Sequence, residues 1–364
     1  MLRIQRSQTQ AEHRGESFRL GSDLESQKVL QAVNAAIHLR RPLLVRGEPG
    51  TGKTSLAYAL AHRLRLGPVL HWRITARSRL VDGLYRYDAL GLLQDLQRDE
   101  FQLRRQAQLQ PAADGAPNGE AAVPAERQLA DYISLGPVGT AFLPSLLPRV
   151  LLIDEIDKAD PQLPNELLHL FEEGEFDIPE LTRERRHQAQ HPQKHQAGKA
   201  WTLATADLLP RDPGPAEADL AERPRVEQRI EPRPVEVSRV PVRCCQFPIV
   251  VMTSNDERDF SPAFKRRCLR ISMPYPDPAQ LHTILRSQFN TISDDFWSHQ
   301  KAKIDEVIDD FKQEGNLDRH DRATDQLLNY IHLFSEDPKF DPSKEALKNI
   351  KDILFKRLTS GDET

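Results

Sequence analysis

A glycine-rich segment of the chain has the residue types that bind phosphate. GEPGTGKT, from Gly47 to Thr54, fits the pattern G-x-x-x-x-G-K-[ST] at every fixed position. Glycines let backbone N–H groups turn toward the β- and γ-phosphates, Lys53 adds a cation, and the Thr54 hydroxyl is a Mg²⁺ ligand. The segment predicts a bound nucleoside triphosphate, held by Gly47, Glu48, Pro49, Gly50, Thr51, Gly52, Lys53, Thr54 and Ser55.

The flanking residues predict the elements that such a loop requires. The apolar run 42–45 before it reads as a buried strand, and residues 53–66 after it read as a helix with Leu56, Leu60 and Leu64 on one face. A glycine turn that only ends a strand is the alternative. It would not require a helix to follow.

Two adjacent carboxylates follow a second apolar run. Residues 149–153 predict a buried strand that ends in Asp154 and Glu155. Asp154 is suited to hold Mg²⁺ through water, and Glu155 to polarise an attacking water molecule. Alone, this pattern also fits an ordinary strand end, but together with the phosphate loop it predicts an NTP-hydrolysing site.

A third apolar run, residues 247–252, leads into Thr253, Ser254 and Asn255. On a strand next to the first, the Asn255 amide would reach the γ-phosphate and the attacking water. The alternative is an asparagine that closes a turn.

A basic cluster follows at Lys265, Arg266 and Arg267. A guanidinium here is a candidate to stabilise the charge of the transferring phosphoryl group, because it is planar, permanently charged and bidentate. Such a cluster is otherwise a solvated surface.

These four elements in this order resemble the AAA+ ATPases and, within them, the MoxR branch of bacterial ATPases. The resemblance covers roughly residues 26–272 and rests on GEPGTGKT, LLIDEIDKAD at 151–160, VVMTSN at 250–255 and AFKRRC at 263–268. It implies an α/β P-loop NTPase fold, with a parallel sheet flanked by helices and a C-terminal helical lid.

The resemblance also implies roles for single residues. Lys53 and Thr54 take the Walker A positions, Asp154 and Glu155 the Walker B positions, and Asn255 that of sensor 1. The arginine finger, which stabilises the charge of the transferring phosphoryl group, falls on Arg267, with Arg266 as the alternative. A sensor 2 arginine falls on Arg322, with Arg319 close by.

Two positions depart from the MoxR pattern. That branch commonly reads D-E-I-N-R-A, whereas this chain has Asp157 and Lys158 in the last polar places, and Cys268 replaces the usual phenylalanine after the finger. The departures indicate a divergent sub-branch and leave the finger's register open by one residue.

The resemblance further implies self-association. The family's finger acts on the nucleotide of the neighbouring subunit, so the subunits must close into a ring, usually of six. MoxR-like ATPases use ATP to remodel or mature partner proteins and often work with a von Willebrand factor A protein. That partner would be a separate chain.

Three alternatives remain. A nucleic-acid motor or loader, such as a McrB-like enzyme, is disfavoured by the net charge of −4. A GTPase is disfavoured because the sequence has no N-K-x-D motif. A nucleotide-dependent switch without turnover is the third.

Composition predicts a cytoplasmic protein. The chain is 38% hydrophobic and 29% charged with a mean hydropathy of −0.58, which implies extended polar segments beside a core. No apolar run is long enough to span a bilayer, and residues 1–17 are too polar for a secretory signal. The three cysteines have no metal-ligand spacing.

The expected domains are a polar lead-in at 1–26, an ATPase core at 27–273 and a helical lid at 274–364. The core carries insertions near 86–145 and 182–240. Residues 83–96 predict a helix and 175–181 a short strand. Residues 182–240 have too few apolar side chains to fold by themselves. The family resemblance nevertheless places a hairpin before sensor 1 in this tract, and a tolerated surface insertion is the alternative.

Overall fold

The computed structural model describes residues 15–16, 18, 24–109, 128–190, 200–210, 230–288, 304–309, 311 and 324–336. The chain forms two compact units. The sheet unit contains Leu2–Ala76, Arg149–Asn165 and Ile249–Thr364, and the insertion unit contains Arg77–Pro148 and Glu166–Pro248.

Strands and helices alternate along much of the chain. The strands are β1 (Leu43–Arg46), β2 (Leu70–Arg73), β3 (Tyr85–Tyr87), β4 (Ile133–Leu135), β5 (Val150–Asp154), β6 (Glu175–Phe176), β7 (Trp201–Pro210), β8 (Ile230–Val237), β9 (Val242–Arg243), β10 (Ile249–Ser254) and β11 (Leu269–Ser272). The α-helices with defined bounds are α1 (Leu24–Leu39), α2 (Lys53–Leu64), α3 (Leu80–Leu84), α4 (Ala89–Leu109), α5 (Pro137–Ala141), α6 (Gln162–Glu173), α7 (Pro179–Gln190), α8 (Pro262–Arg267), α9 (Pro278–Gln288) and α10 (Thr324–Glu336). Short 3-10 turns cover Leu129–Tyr132 and Ile156–Lys158.

The sheet unit is built on five parallel strands in the order β11-β1-β10-β5-β2. All six residues of β10 are buried, as expected for a parallel strand covered on both faces. Because the strands are parallel, their carboxyl ends meet at one edge of the sheet. The predicted parallel sheet flanked by helices is confirmed, and β10 lies between the strands that carry the two phosphate-site motifs.

Helices α1 and α2 pack their apolar faces against the sheet. The cluster combines Val29 and Val33 of α1, Leu56 of α2, and Val45 and Val251 of the sheet. Apolar residues at helical spacing in the sequence predict a helix over 28–39, and in the structure α1 begins earlier, at Leu24. The spacing of apolar residues therefore predicts which face of α1 packs on the sheet, but it does not predict the first turn of the helix.

A second cluster of the sheet unit lies near the end of the chain. Leu281 and Leu285 of α9 pack with Val307 and Ile308 of a helical stretch at 304–309 and with Leu327, Tyr330 and Ile331 of α10. Apolar residues at helical spacing thus form a small helical core where the lid is predicted. The boundary between core and lid at residue 274 stays a prediction.

The insertion unit has two sheets of its own, one in the order β3-β4-β7-β8 and one pairing β6 with β9. The helix predicted over 83–96 is confirmed from Ala89, where α4 begins, but α3 and β3 occupy residues 80–87. The strand predicted over 175–181 is limited to β6, and α7 begins at Pro179. Proline at the first helical position starts α7 without losing a needed N–H.

The prediction that residues 182–240 lack a fold of their own is wrong for much of this tract. Helix α7 extends into it, and β7 and β8 form an antiparallel pair. Backbone hydrogen bonds hold this pair together, and Trp201, Leu203 and Val237 are buried. Trp201 anchors it, because its Nε1 donates to Glu184 at 3.1 Å and the Arg185 guanidinium lies 4.1 Å from the ring centroid.

We expect Leu44→Ala to lower the free energy of unfolding by about 2–5 kcal/mol, because it leaves a cavity at a fully buried position of β1. Chemical denaturation followed by circular dichroism measures this change. Leu39→Ala is the matched control, since Leu39 is 58% exposed. Equal losses in both variants would contradict the assigned core.

Candidate nucleotide-binding site

The phosphate loop connects the end of β1 to the start of α2. Gly47 has φ +146°, and a Cβ at this position would lie 3.0 Å from the Met273 carbonyl oxygen. Gly52 caps α2 with φ +86°, a left-handed conformation that favours glycine. Two of the predicted loop glycines are therefore required by backbone geometry.

The Lys53 ammonium is held inside this loop. Nζ donates to the carbonyl oxygens of Gly47 at 2.6 Å and Glu48 at 2.8 Å, and the residue is only 7% exposed. Burial lowers the pKa of Lys53, although the nearby carboxylates of Glu48, Asp157 and Asp154 oppose the shift. Thr51 donates its hydroxyl back to the Glu48 carbonyl at 2.9 Å and tightens the same turn.

The Asp154 carboxylate, at the end of β5, is the acceptor where the predicted motifs meet. Its Oδ1 accepts from the Thr54 hydroxyl at 3.1 Å and from the Thr253 hydroxyl at 2.6 Å. Burial opposes ionisation, but hydrogen bonds from His71, Thr253 and Thr54 outweigh it and lower the pKa of Asp154. The structure thus brings the phosphate-loop threonine and the first carboxylate together, as predicted.

Sequence reasoning missed a second contact of Asp154. His71 Nε2 lies 3.2 Å from Asp154 Oδ2, and His71 Nδ1 lies 3.4 Å from the Tyr58 hydroxyl. An ionised carboxylate only accepts hydrogen bonds, so Nε2 carries a proton in this contact. The available signal was a histidine between the buried Leu70 and Trp72 of strand β2, which is adjacent to β5 in the sheet.

Glu155 adopts a left-handed backbone conformation with φ 60°. A non-glycine residue in this region carries strain and is often functional. Its backbone N–H donates to the Thr253 hydroxyl at 2.9 Å, and its Oε2 lies 2.9 Å from Lys158 Nζ. The contact with Glu155 raises the pKa of Lys158 and keeps it cationic.

The backbone at Asn255 is fixed by Asp157, a residue that sequence reasoning noted only as a departure from the family pattern. Asp157 Oδ2 accepts the N–H of Asn255 at 2.9 Å and that of Glu257 at 3.2 Å. Asp157 is 3% exposed. A buried acid in the turn after β5 therefore sets where β10 ends.

The two finger candidates, Arg266 and Arg267, end α8 and are exposed. Ser261 caps this helix by accepting from the Phe264 N–H at 3.2 Å, and the Phe264 side chain is fully buried. Arg322, the sensor 2 candidate, lies outside the described residues. The catalytic roles of all these residues remain predictions.

The residues around Asp154 fit a magnesium ion. Mg²⁺ binds hard oxygen ligands, commonly one or two protein oxygens completed by phosphate and water. Here the Thr54 hydroxyl oxygen lies 3.1 Å from Oδ1 of Asp154, whose lowered pKa keeps the carboxylate ionised. Thr54 and Asp154 are therefore the residues that would hold the ion.

A phosphate loop between strand and helix, with a carboxylate at the end of another parallel strand of the same sheet, is characteristic of the P-loop NTPases. The model of the AAA domain family (dynein-related subfamily) matches residues 42–268, more than half of the chain. The chain therefore belongs to this AAA family and has its AAA+ P-loop ATPase domain. Its position in the MoxR branch is not established by this match.

Solved structures of NtrX from Brucella abortus are similar to this chain. The complex with ADP is 11% identical with a TM-score of 0.37, and covers 92% of this chain and 54% of that one. The complex with ATP is 12% identical with a TM-score of 0.38, and covers 95% and 58%. This chain thus spans little more than half of NtrX. No match was found among curated proteins.

Within the described residues, no helix is both long enough and apolar enough to cross a membrane.

We expect Lys158→Met to change ATP turnover by no more than about fivefold, because ion pairs this exposed contribute little energy. Steady-state phosphate release measures the change. Lys158→Arg is the matched control and should restore the original rate. A loss of about 100-fold or more would instead place Lys158 in the reaction.

We expect Cys268 to resist thiol reagents at pH 8 in the folded protein. Burial raises the pKa of its thiol to about 12, so almost no thiolate forms, whereas Cys245 is exposed. Labelling mapped by peptide mass spectrometry should find Cys245 modified quickly and Cys268 only after unfolding. Equal labelling rates would contradict the buried position.

Proposed function

We propose that this protein is a Mg²⁺-dependent, ATP-hydrolysing, MoxR-like AAA+ ATPase that assembles into a ring and remodels partner proteins. The observation that carries the proposal is the convergence at Asp154 of hydroxyls from the phosphate loop, Thr54, and from the sensor strand, Thr253. Three motifs that are distant in the sequence thus meet at one carboxylate.

In the proposed reaction, a water oxygen attacks the γ-phosphorus and the bond to the β-phosphate oxygen breaks, which releases ADP. Glu155 accepts the proton of that water, and Asn255 orients it. Lys53 binds the β- and γ-phosphates through its ammonium. When bound by Thr54 and Asp154, Mg²⁺ supplies charge neutralisation for the phosphate oxygens.

The exposed arginines on α8 support a site shared between subunits. Arg267, or Arg266 next to it, is proposed to reach the nucleotide of the neighbouring subunit and to stabilise the charge of the transferring phosphoryl group. Such heterologous contacts close into a ring. A ring of six subunits, a protein client and a von Willebrand factor A partner belong to this proposal, as does a cytoplasmic location.

A nucleotide-dependent switch without turnover is the second candidate. The contact between Lys158 and Glu155 favours it, because a carboxylate engaged by an ammonium is less available to a water molecule. The two candidates make opposite predictions for Glu155→Gln, which leaves a switch unaffected.

We expect ATP turnover per subunit to rise with protein concentration in the presence of Mg²⁺, because assembly completes the site. Glu155→Gln and Arg267→Ala should each lower it by at least about 100-fold while ATP binding persists. Arg266→Ala tests the alternative register, and Arg105→Ala, an exposed arginine on α4, is the control. Turnover that is independent of concentration and of both candidate arginines would contradict the shared site.

A further inference from the structure

The loop between β10 and α8, residues 255–261, connects the sensor candidate to the finger candidates. We name it the junction loop. Asp157 accepts the N–H groups of Asn255 and Glu257, and Arg258 Nη1 donates to the Ala159 carbonyl at 2.8 Å. The first half of the junction loop is therefore fixed to the turn that follows Asp154 and Glu155.

The junction loop is also tied to the strand that enters the phosphate loop. Asp256 turns the chain with φ 62°, and its Oδ1 lies 2.9 Å from Arg46 Nε. Arg46 is the last residue of β1 and directly precedes Gly47. Its Nη2 lies 3.8 Å from Asp259 Oδ1, so one guanidinium contacts two carboxylates of the loop.

The same Asp259 carboxylate contacts Lys265 Nζ on α8. This contact holds the pKa of Asp259 below its ordinary value. Charges therefore alternate through Asp256, Arg46, Asp259 and Lys265, a set that we name the charge ladder. It runs from the strand before the phosphate loop to the residue that precedes Arg266 and Arg267.

The charge ladder is suited to orienting α8 more than to stabilising the fold. Exposed ion pairs contribute little to stability, and Asp259 is 76% exposed. Helix α8 has only six residues, so its direction depends on few contacts. Besides the Ser261 cap, these include the packing of Phe260 on Phe264, whose ring centroids are 5.1 Å apart.

We propose that Asp259 is a positioning residue that sets the direction of the finger arginines through Lys265. Asp259 also contacts Arg46, which directly precedes the phosphate loop. The charge ladder therefore links the finger arginines of a subunit to the phosphate loop of that same subunit. The inference rests on the proposed function, since it assigns the effect of Asp259 to the neighbouring subunit's active site.

Mixing variants tests this assignment, because a finger defect and a defect in the subunit's own site complement each other in a ring. Asp259→Asn keeps the shape of the side chain and removes its charge. We expect it to lower ATP turnover at saturating ATP by about two- to fivefold, with nucleotide affinity unchanged. Mixed with Glu155→Gln, which supplies intact fingers, each Asp259→Asn subunit should recover turnover.

Three controls frame the mixing experiment. The double variant Arg266→Ala, Arg267→Ala mixed with Glu155→Gln is the positive control for sharing, whichever arginine is the finger. The same double variant mixed with Asp259→Asn should show no recovery, since neither chain supplies an oriented finger. Glu100→Gln removes the Glu100–Arg104 pair on α4 and should leave turnover unchanged.

The outcomes separate the inference from the proposed function. If the finger double variant is rescued and Asp259→Asn is not, the positioning role is wrong and the shared site stands. Unchanged turnover in Asp259→Asn also overturns the inference. If no mixture recovers, the shared site fails and the inference fails with it. Should Asp259→Asn not fold, Lys265→Gln breaks the same contact and must give the same pattern of rescue.

Discussion

The Asp154 carboxylate is the group on which the arrangement of the site depends. A carboxylate largely removed from water needs hydrogen-bond donors, and Asp154 receives them from Thr54 on α2, Thr253 on β10 and His71 on β2. Strands β10 and β2 are the two neighbours of β5 in the sheet. The order of the strands in the sheet therefore places two of the hydrogen-bond donors that the Asp154 carboxylate needs next to it.

Strand β10 then links the two halves of the predicted chemistry. The Thr253 hydroxyl donates to Asp154 and accepts the N–H of Glu155, so it fixes both adjacent carboxylates. In turn, the buried Asp157, which follows β5, fixes the end of β10 by accepting the N–H of Asn255. A displacement of the backbone at 253–255 would disturb all of these contacts together. They depend on the position of β10 next to β5 in the sheet.

The sequence predicted the parts of the site that are contiguous in the chain. The phosphate loop, the strands beside it and the carboxylate pair are short patterns with fixed local geometry. The roles of His71, Thr253 and Asp157 were missed because they depend on pairing between residues far apart in sequence. The tract 182–240 was misread for a related reason: β7 and β8 are held by backbone hydrogen bonds, which composition does not record. Arg322 and the lid residues beyond Glu336 lie outside the described residues and stay predictions.

The charge at position 157 has a physical consequence that an asparagine would not give. An asparagine oxygen accepts the same two backbone N–H groups but carries no charge. Burial disfavours the Lys53 ammonium, and Glu48, Asp157, Asp154 and Asp256 oppose that effect. Asp157 thus opposes the lowering of the Lys53 pKa by burial and helps the ammonium stay charged. The same carboxylates would repel an unaccompanied polyphosphate, which is a physical reason for the divalent cation in the proposed reaction.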